Sequence, residues 1–568
     1  MTKGELLASF SSHKPITKGW SEDEKYCVTK PDGTKYLLRI SPLSRYETRK
    51  SLFSMMKEVA ALGLPMCVPV DFGICEDGVY SLQSWINGED LEDVLPLLSD
   101  TEQYVLGYKS GQLLRKIHTT PAPESQEPWG PRFNHKTDIK IKKYQECGLK
   151  FAGDHHVLDY IEQNRHLLKN RPQCFQHGDY HVGNMMLENN ELIIIDFDRY
   201  DFGDPWEEFN RIVWSAALSP HFATGQIRGY FGGEPPIEFF KLLAFYISSN
   251  TLSSIYWAIP FGQADVDIMM KQAQDVLGWF DNMQNPVPTW YLKDIYIQWA
   301  GGIPYQLREP YDFSFLSKYG KVFKVFDTQD SGHICFGVED GDAKRFVKFG
   351  GAPTAHGRPT AEETIKRMKQ TIPIYQDLAH PILTQLTGIE EIGGGLAMIF
   401  DWTDSECMGR QYPKSREKFM KMPIETRLQV YQDILAFHAH VVKQGYVAID
   451  FYDGCIMYDF AASKTVICDI EFYSKMPYNN PMGRMWGSSR FMSPEEFQLG
   501  AAIDEVTNIY TMGATAFALF CDERDRCLEK WKLGSAAFDV AKRAVSDDRS
   551  QRQQTIEGFI REWNEAVH

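Results

Sequence analysis

One short segment limits the possible fold and function of this chain more than any other feature. It is a polar loop that leads into an apolar strand with acidic residues at its end. The loop spans residues 176–184 (QHGDYHVGN), and the strand LIII at 192–195 precedes the tripeptide DFD. Phosphoryl transfer requires a carboxylate that orients the attacking hydroxyl and oxygen ligands that hold Mg²⁺. Asp179 fits the first role, and Asn184 with Asp196 fits the second. The segment therefore predicts a phosphoryl-transfer site.

Loop and strand together resemble the aminoglycoside phosphotransferase family, whose catalytic loop reads HGDxHxxN and whose metal motif is an apolar strand ending in DxD. The residues that match these motifs are His177, Gly178, Asp179, His181, Asn184, Asp196 and Asp198. Supporting similarities extend over roughly residues 10–290 and include a GxxLxxxH helix end (Gly111, Leu114, His118) and a GDPxW-like segment at 203–206.

The resemblance implies an ATP- and Mg²⁺-dependent enzyme that phosphorylates a hydroxyl group of a small molecule. It places catalytic residues at His177 and Asp179, and metal ligands at Asn184, Asp196 and Asp198. Acceptors in the family include aminoglycosides, macrolides, amino sugars, choline and homoserine, and antibiotic resistance is an associated role. The sequence does not select one acceptor, because a fold does not fix the substrate of its site.

On the nucleotide side the resemblance is less complete. Arg39 stands where the family has a lysine on the third strand, and Glu58 is expected to be its helical partner. Arginine keeps a permanent charge and can bind phosphate with two hydrogen bonds, although its fork differs from an ammonium group. Residues 16–21 (ITKGWS) occupy the place of a glycine-rich loop, and Ser84 with Trp85 are expected to form the hinge that holds adenine.

Periodicity along the chain predicts two halves with the same order of elements. In the first half, strand-type alternation, a turn at residues 31–33 and helical periodicity over 47–62 precede a mostly helical region. The proline-punctuated segment 285–289 (NPVPT) then interrupts the pattern, and strands followed by helices begin again. At 568 residues the chain is long enough for two large domains, which we place at 1–290 and 291–568.

The second half resembles a eukaryotic-like protein kinase domain. The matching segments are FVKF at 346–349, SPE at 493–495 for the APE segment, NIYTMG at 508–513 for the DVYSLG helix and DDRSQR at 547–552 for the distal DPxxR motif. The resemblance implies that Lys348 binds nucleotide and that Arg552 pairs with Glu495. The predicted fold class is α+β: two tandem bilobal protein-kinase-like domains, each with a small β-rich N-lobe and a larger helical C-lobe.

The catalytic positions of the second half depart from the protein-kinase pattern. HRD reads AID and ends at the candidate catalytic Asp450, the metal-binding asparagine is Cys455, and DFG reads DIE and begins at the candidate metal ligand Asp469. A neutral thiol is a poor ligand for a hard cation. Asp453 could substitute for it, whereas Asn508 in the place of an aspartate is expected to weaken the anchor of the loop.

Two interpretations of the second half stay open: an active serine/threonine kinase with a protein substrate, and a pseudokinase that binds nucleotide and regulates its neighbour. A non-enzymatic alternative treats both halves as nucleotide-sensing or interaction platforms. The complete set of Asp179, Asn184 and Asp196 argues against that alternative for the first half.

Net charge, cysteine content and the distribution of apolar residues limit the classes of partner and the compartment expected for this chain. The net charge of -16 disfavours sequence-independent binding to nucleic acid, and it would tolerate a cationic substrate. Eleven cysteines without a CxxC pair indicate neither a disulfide framework nor a zinc site, so we expect a cytoplasmic protein. The start of the chain lacks a signal-peptide pattern, and the most apolar stretch, 242–261, is interrupted by Ser, Asn and Pro, so no membrane span is predicted.

Overall fold

Two structural units divide the chain, Met1–Asp294 and Ile295–His568. The computed structural model describes residues 2–17, 23–76, 78–357, 359–521 and 526–567. Each unit contains a five-stranded antiparallel sheet that is followed along the chain by a larger group of helices. The mixture of helix and sheet predicted from the sequence is therefore confirmed.

The strands of the first unit form one large sheet and two small ones. The large sheet has the order β1-β2-β3-β5-β4, while β6-β8-β9 and β10-β7 form the small ones. Their bounds are β1 (Ser12–Ile16), β2 (Glu24–Thr29), β3 (Lys35–Ser41), β4 (Pro69–Cys75), β5 (Gly78–Ser84), β6 (Glu89–Asp90), β7 (Cys174–Gln176), β8 (Met185–Glu188), β9 (Glu191–Ile194) and β10 (Asp201–Gly203).

The hairpin between β2 and β3 follows from its turn residues. Gly33 adopts a φ of +85°, a left-handed conformation that glycine reaches without steric cost. The side chain of Asp32 accepts a hydrogen bond from the N–H of Thr34 at 2.8 Å, which closes the turn. The predicted turn at 31–33 is therefore confirmed.

Helices make up most of the rest of the first unit. Their bounds are α1 (Lys3–Ala8), α2 (Tyr46–Ala60), α3 (Leu91–Val94), α4 (Asp100–Ile117), α5 (Trp129–Glu146), α6 (Asp154–Asn164), α7 (Ile212–Leu218), α8 (Pro220–Phe231), α9 (Ile237–Ala258) and α10 (Gln263–Trp279). The apolar helix α9 is buried along most of its length and packs against α5, α6 and α10. Within the described ranges no helix combines the length and hydrophobicity that crossing a membrane requires.

Helices α4 and α8 pack with their backbones in contact. A Cβ atom at Gly111 would lie 2.0 Å from the carbonyl oxygen of Gln226, so only glycine allows this approach. The contact holds the end of α4, where His118 Nδ1 lies 2.9 Å from the Tyr230 hydroxyl. His118 Nε2 is in turn 3.7 Å from Glu208 Oε2, which places α4 beside the candidate site.

The second unit repeats the sheet order of the first as β13-β14-β15-β17-β16. Its strands are β11 (Tyr296–Ala300), β12 (Ile303–Leu307), β13 (Lys321–Phe326), β14 (His333–Asp340), β15 (Ala343–Gly350), β16 (Leu386–Ile392), β17 (Gly395–Asp401), β18 (Glu406–Cys407), β19 (Tyr446–Val447), β20 (Ile456–Asp459), β21 (Lys464–Ile467), β22 (Ser474–Lys475), β23 (Tyr478–Asn479) and β24 (Ala502–Ile503). Its helices are α11 (Ala361–Asp377), α12 (Pro413–Met420), α13 (Ile424–Lys443), α14 (Glu505–Phe520), α15 (Ser535–Ala544) and α16 (Ile556–Val567).

A buried ion pair ties two distant segments of the second unit together. Arg552 Nη1 and Nη2 donate to the two carboxylate oxygens of Glu495 at 2.7 and 3.1 Å, and both residues are buried. Arg549 and the Thr507 hydroxyl also donate to Glu495, each at 3.0 Å. The predicted pairing of Arg552 with Glu495 is confirmed.

Candidate active site

The catalytic loop of the first unit leaves β7 and turns sharply at Gly178. This residue has a φ of +84°, and a Cβ atom there would lie 1.8 Å from the carbonyl oxygen of Arg199. Only glycine fits a turn so close to another backbone segment. The Gly178 N–H donates to Glu208 Oε1 at 2.9 Å, so a buried carboxylate fixes the loop immediately before Asp179.

His177 is buried, and both of its ring nitrogens face main-chain atoms. Nε2 lies 2.9 Å from the carbonyl oxygen of Ile195, and Nδ1 lies 3.3 Å from the N–H of Asp179. A carbonyl oxygen only accepts, so Nε2 carries the proton and Nδ1 accepts. Both ring nitrogens are engaged by the backbone, so His177 ties Asp179 to the strand that leads to Asp196. Its catalytic role stays a prediction.

Asn184 connects the catalytic loop to the strand end. Its Nδ2 donates to the main-chain oxygen of Asp179 at 2.8 Å, and its own carbonyl accepts from the N–H of Ile195 at 3.1 Å. Because the nitrogen end of the amide binds the loop, Oδ1 is the end left for a cation. The next residue after Ile195 is Asp196, which has a φ of +63° and a side chain that is 40% exposed. The three predicted groups thus lie on adjoining segments.

Arg39 on β3 is buried at the centre of an ionic cluster. Its guanidinium lies 3.2 Å from Asp23 and 3.5 Å from Asp196, and it is in closer contact with Asp198. Burial lowers the pKa of Arg39, but the charges of the three carboxylates outweigh burial and the net pKa is raised. The structure therefore brings Arg39 together with both aspartates of the DFD tripeptide.

Glu58 is not the partner of Arg39, and this prediction is wrong. Glu58 is exposed on α2, whereas Arg49 of the same helix faces the cluster. Arg49 contacts Asp23, lies 3.0 Å from Asp198 Oδ1 and donates to the Ser41 hydroxyl at 2.9 Å. Arg49 and Glu58 are nine residues apart, which is about two and a half turns of an α-helix. Glu58 therefore points away from the helix face that carries Arg49.

Asp179 lies among positive charges. Arg211 Nε is 3.3 Å from one carboxylate oxygen, and Arg199 Nε is 3.8 Å from the other. His181 Nε2 lies 3.7 Å away, but burial lowers the pKa of His181 to about 4, so this ring is neutral near pH 7. Burial raises the pKa of Asp179, but the surrounding positive charges outweigh burial and hold it below its usual value. Asp179 is therefore ionised at neutral pH, as an acceptor of a hydroxyl proton must be.

The predicted hinge lies at the end of β5. Ser84 forms two hydrogen bonds with Val68: its N–H donates to the Val68 oxygen, and its hydroxyl accepts from the Val68 N–H, both at 2.8 Å. Trp85 follows outside the strand and is half-buried. In the expected glycine-rich loop, residues 18–21 lie outside the described part of the chain.

The donors near Asp179 suit Mg²⁺. The Asn184 amide oxygen and the Asp196 carboxylate are hard oxygen ligands, and Mg²⁺ in nucleotide sites uses one or two carboxylates together with phosphates and water. Asp198, also predicted as a ligand, is held by Arg39 and Arg49. The described residues contain no cluster of three or more His, Cys, Asp or Glu arranged for a metal.

A second candidate site lies in the second unit. Lys348 on β15 is buried, contacts Glu471 closely and lies 3.8 Å from Asp469 Oδ1. Asp469 has a φ of +58°, and its side chain is 56% exposed. The N–H of Cys468 donates to the carbonyl of Cys455 at 3.0 Å, which matches the contact between Ile195 and Asn184 in the first unit. The structure therefore brings the predicted Lys348 and Asp469 together.

Asp453 cannot take the place of the missing asparagine. It is buried and bound by Arg416 at 3.0 Å and by Arg490 at 2.9 and 3.1 Å, so its carboxylate is already neutralised. Cys455 is buried, and its thiol contacts the main-chain oxygen of Asp450 at 3.4 Å. Burial and the charge of Asp469 raise the pKa of Cys455, which keeps it a neutral thiol.

Asn508 anchors the second loop more fully than expected. Its Oδ1 accepts from the N–H of Ala448 at 2.9 Å, and its Nδ2 donates to the Ala448 oxygen at 2.8 Å. Both ends of the Asn508 amide therefore hold the loop, and the expected weakening relative to an aspartate stays a prediction. Asp450 follows two residues later with a φ of +62°. Burial and the negative charges of Asp469 and Glu496 raise the pKa of Asp450 to about 7.

Sequence reasoning missed four charged residues at the first site: Asp23, Arg49, Arg199 and Arg211. The phase of α2 could have identified Arg49, because it lies on the face opposite the exposed Glu58. Asp23 carried no comparable signal, because its contact with Arg39 joins positions 16 residues apart on the chain. Arg199 follows the DFD tripeptide directly, but only the fold brings it to Asp179.

Residues 12–240 match the model of a family described as "Phosphotransferase enzyme family". The protein is accordingly an ATP-dependent phosphotransferase enzyme, although the match covers less than half of its 568 residues. Comparison of the sequence with curated proteins gives no match.

Several solved structures are similar to part of the chain. A thermostable mutant of aminoglycoside phosphotransferase APH(4)-Ia is 17% identical, with a TM-score of 0.38, over 48% of this chain and 96% of that one. A choline/ethanolamine kinase family protein from Mesorhizobium loti is 16% identical, with a TM-score of 0.38, over 50% and 93%. ADP-bound APH(2'')-Ib is 15% identical, with a TM-score of 0.36, over 48% and 97%.

Proposed function

We propose that the first unit transfers the γ-phosphoryl group of ATP to a hydroxyl group of a small molecule. The observation that carries this proposal is the hydrogen-bonded connection of Asp179, Asn184 and the strand before Asp196. Because main-chain contacts hold these segments together, the carboxylate that would orient the acceptor lies beside the proposed cation ligands. Such prior positioning is the main contribution that a protein makes to phosphoryl transfer.

Each residue in the site has a defined task. Asp179 orients the acceptor hydroxyl and takes its proton, which requires the ionised form favoured by Arg211 and Arg199. Asn184 Oδ1 and the Asp196 carboxylate would hold Mg²⁺, which neutralises charge on the phosphates when bound. Arg39 and Asp198 lie next to this position, where a guanidinium can bind phosphate oxygens.

Replacement of Asp179 tests this proposal. In Asp179→Asn the hydrogen-bonded loop is kept but the proton acceptor is lost, so acceptor-dependent ATP consumption should fall by about 10²–10⁴-fold. The assay measures ADP formation by the full-length protein with a panel of hydroxylated small molecules. Asp159→Asn, an exposed aspartate on α6, is the matched control and should keep the parental rate. Turnover within a few-fold of the parent in Asp179→Asn would contradict the role of this residue.

For the second unit we propose a kinase-like fold that binds nucleotide with little dependence on Mg²⁺ and serves a regulatory role. Its sheet order is that of the first unit, and Lys348 contacts Glu471 at the strand end. The buried neutral thiol of Cys455 and the neutralised Asp453 favour this role over protein phosphorylation. Nucleotide binding that survives the loss of Asp469 is the property expected of such a domain.

A further inference from the structure

The positive charges around Asp179 continue beyond the residues that contact it. Arg211 and Arg199 lie on the two sides of its carboxylate, with side chains that are 23% and 48% exposed. A guanidinium has five N–H donors, so one ion pair leaves most of its hydrogen-bonding capacity free. Both arginines can therefore bind an anionic group of a molecule whose hydroxyl lies at Asp179.

Helix α5 adds a basic stripe to this region. Arg132, Lys136 and Lys140 are spaced four residues apart and so lie along one face of the helix. Arg132 is paired with Asp201 at 3.2 Å, whereas Lys136 and Lys140 lie 5.9 and 5.8 Å from the centre of the Phe133 ring. The stripe is therefore cationic mainly through its two lysines.

The stripe borders the strand that leads into the Asp179 loop, because Arg132 binds Asp201 on β10 and Asp201 is paired with Gln176 on β7. Burial lowers the pKa of Lys140 to about 7, and the positive charges of Lys136 and Arg211 contribute to this fall. Glu207 is the carboxylate that opposes them, and it is itself held by a hydrogen bond of 3.1 Å from Gln176 Nε2. We call Lys136, Lys140, Arg199 and Arg211 the basic acceptor face. At neutral pH Lys140 is about half protonated, so this face carries its positive charge mainly on Lys136, Arg199 and Arg211, opposed by Asp179 and Glu207.

This face is opposite in sign to the protein as a whole. A net charge of -16 would tolerate a cationic substrate, but the field near a site depends on the charges closest to it. The positive charges of Arg199 and Arg211 beside Asp179 would repel a polycationic acceptor and attract an anionic one. The cations of the proposed phosphate site, Arg39 and Arg49, form a separate group that contacts Asp23 and Asp198.

We propose that the acceptor of the first unit is an anionic small molecule, with a carboxylate or phosphate group that binds the basic acceptor face while its hydroxyl meets Asp179. This inference rests on the proposed phosphotransfer. In the reaction the hydroxyl oxygen forms a bond to the γ-phosphorus and the bond from that phosphorus to the β,γ-bridging oxygen breaks. ADP leaves with the bonding electrons, and the hydroxyl proton passes to Asp179.

Sulfate binding tests the anion site without any knowledge of the acceptor. The full-length protein is saturated with Mg²⁺ and a non-hydrolysable ATP analogue, so that the nucleotide phosphates occupy their own site, and sulfate is titrated by calorimetry. We expect binding that weakens by about tenfold in Lys140→Gln and in Arg211→Gln. Lys142→Gln is the control on the same helix, since Lys142 is 75% exposed and lies near Glu146. Equal sulfate binding in all four proteins would overturn the proposal.

Acceptors with one carbon skeleton test the charge preference directly. Glucosamine, glucose, gluconate and glucose 6-phosphate carry a cationic, neutral, carboxylate and phosphate group, respectively. The anionic members should be turned over best, and Arg211→Gln should raise their KM by about tenfold relative to the KM of glucose, while the effect of this variant on Asp179 lowers kcat for all four. Preferred turnover of glucosamine would overturn the proposal, and if none of the four is a substrate the sulfate titration decides.

The two proposals fail in different ways. If Asp179→Asn leaves acceptor-dependent ATP consumption intact while sulfate binding still depends on Lys140 and Arg211, the phosphotransfer mechanism is wrong and the anion site stands. If Asp179→Asn abolishes turnover but sulfate binding ignores both residues, the mechanism stands and the anionic acceptor is rejected.

Discussion

The two candidate sites have the same backbone arrangement and different side-chain chemistry. In each unit, the third strand of the large sheet carries a cation that contacts the acidic residue two positions after the strand-end aspartate. The first unit pairs Arg39 with Asp198, and the second pairs Lys348 with Glu471. Both strand-end aspartates adopt left-handed φ angles, +63° and +58°.

The two loop aspartates lie among charges of opposite sign, positive around Asp179 and negative around Asp450. Asp179 lies between Arg211 and Arg199, which hold its pKa below the usual value. Asp450 is half-buried near Asp469 and other carboxylates, and its partial burial together with their charges raises its pKa to about 7. A shared backbone arrangement therefore does not imply a shared activity, because the side chains around each loop aspartate decide whether its carboxylate is ionised.

The largest expected effect concerns the fold of the second unit. Glu495→Ala would leave Arg552 buried and without its carboxylate, and Arg549 would lose the same partner. Breaking a buried ion pair on one side costs about 3–5 kcal/mol. Urea unfolding followed by hydrogen exchange should show this loss in peptides of the second unit. Glu529→Ala, at an exposed position, is the control, and a loss below about 1 kcal/mol would place the pair among surface salt bridges.

A smaller effect is expected on metal-dependent nucleotide binding. Asp196→Ala removes an exposed carboxylate next to Asn184, so the gain in ATP affinity that Mg²⁺ provides should fall by about tenfold or more, equal to about 1.4 kcal/mol. Arg39 keeps Asp23 and Asp198 as partners, so the sheet should stay folded. Calorimetry of the full-length protein with and without Mg²⁺ measures this change.

The matched variant Asp469→Ala sharpens the comparison. Cys455 and Asp453 supply no free oxygen ligand beside Asp469, so Mg²⁺ should contribute little to nucleotide binding in the second unit. Asp469→Ala should therefore leave the Mg²⁺ dependence of the whole protein nearly unchanged. Equal losses in Asp196→Ala and Asp469→Ala would show that both units use the metal alike, and our proposal for the second unit would be wrong.

The sequence predicted well what depends on local patterns. Turn residues and strand alternation gave the hairpin before β3, and the loop motif led to Asp179, Asn184 and Asp196, which the structure brings together. Local hydrogen bonds and short-range periodicity determine such features, so residues close in the chain suffice to predict them.

It failed where contacts join distant residues or depend on helix phase. Glu58 was assigned by its place in a family pattern, but the rotation of α2 turns Arg49 toward the site instead. Asp453 was considered as a substitute for the missing asparagine, yet Arg416 and Arg490, each 37 positions away, neutralise it. The basic acceptor face could not be found from the net charge, because opposite local charges disappear in a sum over the whole chain.

The pH dependence of stability tests whether the charges around the two loop aspartates differ in sign. A raised pKa means that folded Asp450 keeps a proton that the unfolded chain releases, so the free energy of unfolding falls as the pH rises from about 4 to about 7. Asp450→Asn should therefore stabilise the second unit near pH 8, by about 1–2 kcal/mol after allowance for partial exposure, and change little near pH 4.

Asp179 has a lowered pKa and contributes stability at neutral pH that acid removes, so Asp179→Asn should destabilise the first unit. Hydrogen exchange at both pH values resolves the two units, with Glu496→Gln expected to act like Asp450→Asn because the pKa of Glu496 is also about 7. Changes of the same sign in both units would contradict the electrostatic difference between Asp179 and Asp450.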